Sequence, residues 1–82
     1  MSYYVYMLKS LDKKLITYVG YTSNLQHRIK LHNESKGAKF TRGRKWKLIY
    51  KEKYKSKSEA ISREYYIKKN RKLRTLIKNK YI

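Results

Sequence analysis

Tyr18-Val19-Gly20-Tyr21, followed through Thr22 by the segment Ser23–Glu34 (SNLQHRIKLHNE), decides how this chain folds. Leu15 to Tyr21 (LITYVGY) is rich in β-branched and aromatic residues and reads as a strand. Gly20, near its end, marks a sharp turn or a close approach of another group to the backbone. Thr22, Ser23 or Asn24 can cap a following helix. At ~100° per residue, Leu25, Ile29 and Leu31 define an inward arc that also holds Arg28 and His32, while Gln26, His27, Lys30 and Glu34 point away. The stretch therefore predicts a strand, a break and a short helix carrying a cation and an imidazole one turn apart on its inner side.

Working outward, Ser2–Leu8 (SYYVYML) predicts a first strand with Tyr4, Tyr6 and Leu8 on one face and Tyr3, Val5 and Met7 on the other. Both faces are apolar, as expected of a central strand. The polar connection Ser10–Lys14 is short enough to make the first two strands an antiparallel pair. Beyond the helix, Ser35–Lys45 (SKGAKFTRGRK) is a glycine-containing basic loop with Phe40 as its apolar anchor. Trp46–Tyr54 predicts a third strand, with Trp46, Leu48, Tyr50 and Tyr54 on one face and Lys47, Ile49, Lys51 and Lys53 on the other, a face that is either wet or covered by nucleic acid. Ser56-Lys57-Ser58-Glu59 fits a capping box. The helix it opens reaches about Lys69, with Ala60, Ile61, Tyr65 and Ile67 as its apolar arc and Glu64 inside that arc. Leu73, Leu76 and Ile77 mark a last short helix, with fraying expected from Lys78 to Ile82. The order ββαβαα predicts an α+β fold, a small sheet covered by helices, in a single domain spanning residues 1–82.

Composition narrows the function. There are 23 Lys+Arg against 5 Asp+Glu, a formal net charge of +18. Such an excess selects a polyanionic partner, with nucleic acid first. An anionic membrane surface fits less well, because the charge is spread along the chain rather than gathered on one amphipathic helix. The absence of cysteine excludes disulfides and thiolate metal sites, and two histidines leave little for zinc. No apolar run approaches the ~18 residues of a membrane span. The expected setting is cytoplasmic, without a membrane.

Five residues carry chemistry. Glu64 is an acid on an inward arc, where an unpartnered carboxylate is costly. It is either salt-bridged to one of the many lysines or a ligand for a hard cation such as Mg²⁺. Arg28 suits bidentate phosphate recognition, or else sits at the core edge. His32 is either a satisfied structural histidine or, beside that cation, an imidazole biased to its neutral, base-competent form. Tyr6 and Tyr18 lie on adjacent strands, either as core tyrosines or as phenols of a site. As phenols of pKa near ~10 they are poor bases unless a cation such as Arg28 lowers them. In the loop, Lys36, Lys39, Arg42, Arg44 and Lys45 form a candidate nucleic-acid-binding set, the alternative being a solvated basic loop.

In these features the chain resembles the GIY-YIG nuclease superfamily. Tyr4-Val5-Tyr6 matches its first motif and Tyr18-Val19-Gly20 its second. Arg28 matches the catalytic arginine, His32 a histidine common one turn later, and Glu64 the metal-binding glutamate. Lys36-Gly37-Ala38-Lys39-Phe40-Thr41 resembles a segment of the small stand-alone bacterial members. The chain departs from the pattern at Tyr4, in the first glycine position, and at Leu76, where larger members carry asparagine; Asn70 is nearby but out of register. The resemblance implies a three-stranded antiparallel sheet flanked by helices and metal-dependent hydrolysis of DNA phosphodiesters. Mg²⁺ or Mn²⁺ would sit on Glu64, with Arg28 stabilising charge and Tyr6, Tyr18 and His32 handling the water and its proton. Two alternatives stand beside it: a non-cleaving nucleic-acid-binding accessory module, and a catalytic subunit that needs a protein partner.

Overall fold

The computed structural model describes residues 2–81. Strands β1 (Tyr3–Ser10), β2 (Thr17–Thr22) and β3 (Trp46–Tyr54) form an antiparallel sheet in the order β2-β1-β3. Helix α1 (Leu25–Asn33) follows β2, and α2 (Lys57–Lys69) and α3 (Arg71–Tyr81) follow β3. This is the expected α+β order ββαβαα.

The central place of β1 follows from its apolar residues on both faces. Tyr6 and Leu8 pack with Trp46 and, from α1, with Leu25 and Ile29. Val5 and Met7 pack on the opposite face with Val19, Ile49 and, from α2 and α3, Ala60, Ile67 and Ile77. One helix thus covers one face of the sheet and two cover the other.

Strand β3 departs from simple alternation. Met7 pairs with Tyr50 but Leu8 pairs with Leu48, so Ile49 is an extra residue in the ladder. A bulge of this kind shifts the phase of every side chain beyond it. Trp46 and Leu48 therefore join the α1 face, whereas Tyr50 and Tyr54 join the α2–α3 face together with Ile49, which is buried rather than wet. The predicted sharing of one face by Trp46, Leu48, Tyr50 and Tyr54 does not hold, nor does the common lysine face.

Helix α2 starts where expected. Ser56 Oγ accepts from the Glu59 N–H at 3.2 Å and donates to Glu59 Oε1 at 2.9 Å. Its inward stripe, however, is Ala60 and Ile67, both buried, with Arg63 and Glu64 half-buried between them and Ile61 and Tyr65 exposed. The helix is turned from the apolar arc because Glu52 on β3 draws Arg63 inward. Helix α3 runs on to Tyr81, whose ring packs on Tyr50 with centroids 5.8 Å apart, so the expected fraying from Lys78 is not found through Tyr81; Ile82 lies outside the described residues. Ile77 anchors α3, and Leu76 faces outward. Asn70, the residue out of register with the superfamily pattern, accepts from the Leu73 N–H at 3.0 Å and opens α3.

Candidate active site

Tyr6 lies opposite Gly20 on β2. A Cβ at Gly20 would stand 2.6 Å from Tyr6 Oη and 2.8 Å from its Cζ. The glycine is required because the phenol lies across its Cα, not because of any unusual backbone angle. Asn24 caps α1, its Oδ1 accepting from the His27 N–H at 3.2 Å. That start fixes the helix phase so that Arg28 and His32 face the sheet, while His27 is exposed.

His32 is fully buried. Its Nε2 is 2.7 Å from Tyr6 Oη and its Nδ1 is 2.8 Å from Thr41 Oγ1. The Thr41 hydroxyl donates its one hydrogen to the Ala38 carbonyl at 2.9 Å. It must therefore accept from His32, which places the imidazole proton on Nδ1. Nε2 is left bare, and the Tyr6 hydroxyl donates to it. Burial, aided by Arg28, lowers the His32 pKa to about 4, so the ring is neutral at pH 7. A Cβ at Gly37 would stand 2.5 Å from His32 Nδ1. Both motif glycines thus make room for the same hydrogen-bonded pair.

In the folded chain Arg28 does not bring the tyrosines below their ordinary value. Burial raises Tyr6 to about 12, and Arg28 offsets only part of this. Burial likewise raises Tyr18 despite Arg28. Tyr6 holds its proton and directs it at His32.

Tyr6 and Arg28 open onto a pocket of about 380 Å³, further lined by Tyr18, Tyr21, Thr22 and Glu64. Four of the five expected catalytic residues meet here, and His32 stands behind Tyr6. Glu64 enters from α2, across the β2 edge, with its side chain 17% exposed and Lys68 Nζ 3.7 Å from Oε2. No cluster of three or more His, Cys, Asp or Glu exists among the described residues. One accessible carboxylate among hydroxyls suits a hard cation that completes its shell with water and phosphate oxygens, and does not suit zinc. A larger hollow of about 510 Å³ beside Tyr54, Arg63 and Tyr66 offers an arginine already paired to Glu52.

The basic loop divides. Lys36, Lys39 and Arg42 are exposed. Arg44 is paired to Asp12, and Lys45 Nζ donates to the Asn33 carbonyl at 2.9 Å. The loop contains a single 3₁₀ turn, Lys39–Thr41, whose buried anchor is Thr41 rather than Phe40. Phe40 is 59% exposed.

Sequence reasoning missed Thr41, Lys68 and Glu52. A threonine inside a glycine-containing basic loop carries no signal of burial, and Lys68 is one of many lysines. Glu64 shares its inward placement with Glu52, which lies on the strand face moved by the bulge and is buried to a similar degree, its side chain 13% exposed.

The chain matches the GIY-YIG catalytic domain over residues 2–81. It is 55% identical over 83 residues to a UPF0213 protein of Clostridium perfringens, covering 96% of this chain and 86% of that one. A UPF0213 protein of Oceanobacillus iheyensis is 49% identical over 67 residues, or 80% and 76% of the two chains. The solution NMR structure of a UPF0213 protein from Bacillus halodurans superposes with a TM-score of 0.54 at 40% identity, covering 99% of this chain and 87% of that one. Among the described residues no helix is long and apolar enough to cross a membrane.

Proposed function

Since this chain belongs to the GIY-YIG catalytic-domain family, a family of nucleases, we propose that it is a metal-dependent endonuclease that hydrolyses phosphodiester bonds in single-stranded or branched DNA, in repair or recombination. The observation that carries this reading is the buried chain Thr41–His32–Tyr6, which ends at a pocket shared by Arg28 and Glu64.

In this mechanism Arg28 takes the non-bridging oxygens of the scissile phosphate and neutralises charge that grows in the transition state. Tyr6 Oη accepts a hydrogen bond from the attacking water. As the water oxygen bonds to phosphorus, its proton passes to Tyr6 and the Tyr6 proton passes to His32 Nε2. The bond from phosphorus to the leaving 3′ oxygen breaks, and that oxygen takes a proton from solvent. Thr41 is a positioning residue: it holds the tautomer that leaves Nε2 free. The incoming phosphate also offsets the Arg28 charge, which strengthens His32 as an acceptor. Tyr18, Tyr21 and Thr22 line the water's approach. Glu64 would hold Mg²⁺ or Mn²⁺, which when bound supplies Lewis-acid polarisation of the phosphate.

The test is cleavage of end-labelled single-stranded, duplex and branched DNA with Mg²⁺, Mn²⁺ or EDTA, comparing wild type with Glu64→Gln and Tyr6→Phe. Metal-dependent cutting that Glu64→Gln abolishes, and that Tyr6→Phe slows by roughly 10²-fold or more, supports the reading. Binding without cutting under every condition overturns it in favour of an accessory module or a subunit awaiting its partner.

A further inference from the structure

Beside the catalytic pocket, and sharing Tyr18 with it, lies a second cleft of about 260 Å³ lined by Thr17, Tyr18, Val19, Phe40, Lys68 and Arg74. Its wall contains an inversion of the usual burial order. Thr41 is fully buried, while its neighbour Phe40, the chain's one phenylalanine, is 59% exposed. The loop is not loose: Thr41 is bonded to His32, and Gly37 packs against the same ring. The backbone around Phe40 is therefore held, and the ring is presented. It stacks on Tyr18 with centroids 6.1 Å apart and planes inclined by 23°, and meets the Trp46 ring with centroids 6.5 Å apart, while more than half of its surface stays open to solvent. Two cations border this aromatic step. Lys68 Nζ stands 5.8 Å from the Tyr18 ring centroid with its side chain 47% exposed. Arg74, also at the cleft, is steadied by an Nη1 hydrogen bond to the Ile67 carbonyl at 3.1 Å.

We infer that this cleft is a nucleobase subsite, taking one unpaired base of the substrate strand against Phe40 with an adjoining phosphate on Lys68 and Arg74. The assignment rests on the nuclease reading for the identity of the neighbouring pocket and names its substrate class. An aromatic surface with a cationic rim matches a base attached to a phosphate, since every base has a face to stack and every nucleotide carries an anion. Because Tyr18 forms a wall of both cavities, the stacked base belongs to a nucleotide close to the phosphate held by Arg28. A base inside a duplex is covered by its neighbours and cannot reach Phe40. The subsite thus favours single-stranded or frayed DNA without reading sequence.

The test is equilibrium binding in EDTA, which needs no cleavage. Fluorescence anisotropy compares a labelled oligothymidine with a smooth duplex, for wild type, Phe40→Ala and Phe40→Trp. The expected result is a roughly tenfold loss of single-strand affinity in Phe40→Ala, less than about twofold loss for the duplex, and recovery in Phe40→Trp. A single strand of the same length and charge in which every base is absent should bind wild type more weakly by at least the same factor, and on that strand the further loss in Phe40→Ala should disappear. Equal losses for single strand and duplex, or equal wild-type affinity for the base-bearing and abasic strands, overturn the subsite. The wild-type comparison decides the matter even should Phe40→Ala fold poorly. Absence of metal-dependent cleavage would remove the nuclease reading while leaving these binding outcomes readable.

Discussion

Glu52 and Glu64 are both largely buried carboxylates in a chain of net charge +18, and Arg63 and Glu64 are adjacent on α2, yet the two acids live differently. Glu52 is surrounded. Arg63 donates from Nε at 2.9 Å and from Nη2 at 3.0 Å, Tyr54 donates at 2.7 Å, and Tyr50 donates as well. Burial works to raise its pKa, but the hydrogen bonds from Arg63, Tyr50 and Tyr54 more than reverse this and hold it below the usual value. Glu64 has Lys68 at 3.7 Å and a face on an open pocket. A carboxylate with both oxygens occupied by the protein fixes structure. One left with acceptor capacity toward a cavity is available to a ligand. Burial alone does not distinguish the two roles; the count of partners does.

The widest separation should come from exchanging each acid for its amide. Glu64→Gln is expected to reduce cleavage by more than about 10³-fold, a few kcal/mol of transition-state stabilisation, with little change in thermal unfolding. Glu52→Gln should do the reverse, lowering stability by about 2 kcal/mol through a half-satisfied Arg63 while cleavage per folded molecule stays near wild type. Paired measurements of turnover and urea unfolding check this, and a shared phenotype would erase the distinction.

Acid titration separates the structural acid from the buried imidazole. His32 titrates at about 4 when folded and near 6.5 when unfolded, so the unfolded chain binds a proton that the folded one refuses. Stability should fall by up to roughly 1.4 kcal/mol per pH unit as pH drops from 6.5 to 4, and His32→Gln should flatten that window. Glu52 is depressed when folded, so its contribution is present above 4.5 and lost as pH falls through its lower folded value. Glu52→Gln should flatten only this more acidic limb. Urea unfolding across the pH range distinguishes the two.

The smallest effect carries the same contrast to the basic loop. Exchanging exposed Lys36, Lys39 or Arg42 for Gln should lower the slope of log affinity against log salt by about 0.7 each on single-stranded DNA. The same change at Arg44 or Lys45, already bonded to Asp12 and to the Asn33 carbonyl, should move the slope less. Binding titrations at several salt concentrations measure it, and equal slopes for all five would mean that these partners are given up on binding.

Much of this was legible from local pattern. Two-sided apolarity placed β1 at the centre, helical spacing put Arg28 and His32 on one inner side, and Glu64 stood out as an acid on an inward arc of α2. The bulge at Ile49 was not legible, because an extra residue in a ladder leaves no mark on a run of apolar and basic residues. The rotation of α2 away from Ile61 and Tyr65 was hidden for the same reason, since its cause is an ion pair between Glu52 and Arg63 that needs the strand register to exist.

By itself, the sequence determined the element order, the central strand and which side chains meet at the β1–β2–α1 junction, since these depend on periodicity and on neighbours close along the chain. The tertiary structure alone decided the proton's place on His32, the raised pKa of Tyr6, the exposure of Phe40 over a buried Thr41 and the different surroundings of Glu52 and Glu64. Each depends on how much water is excluded and on which distant donor arrives at hydrogen-bonding distance, and both are set only when the layers close.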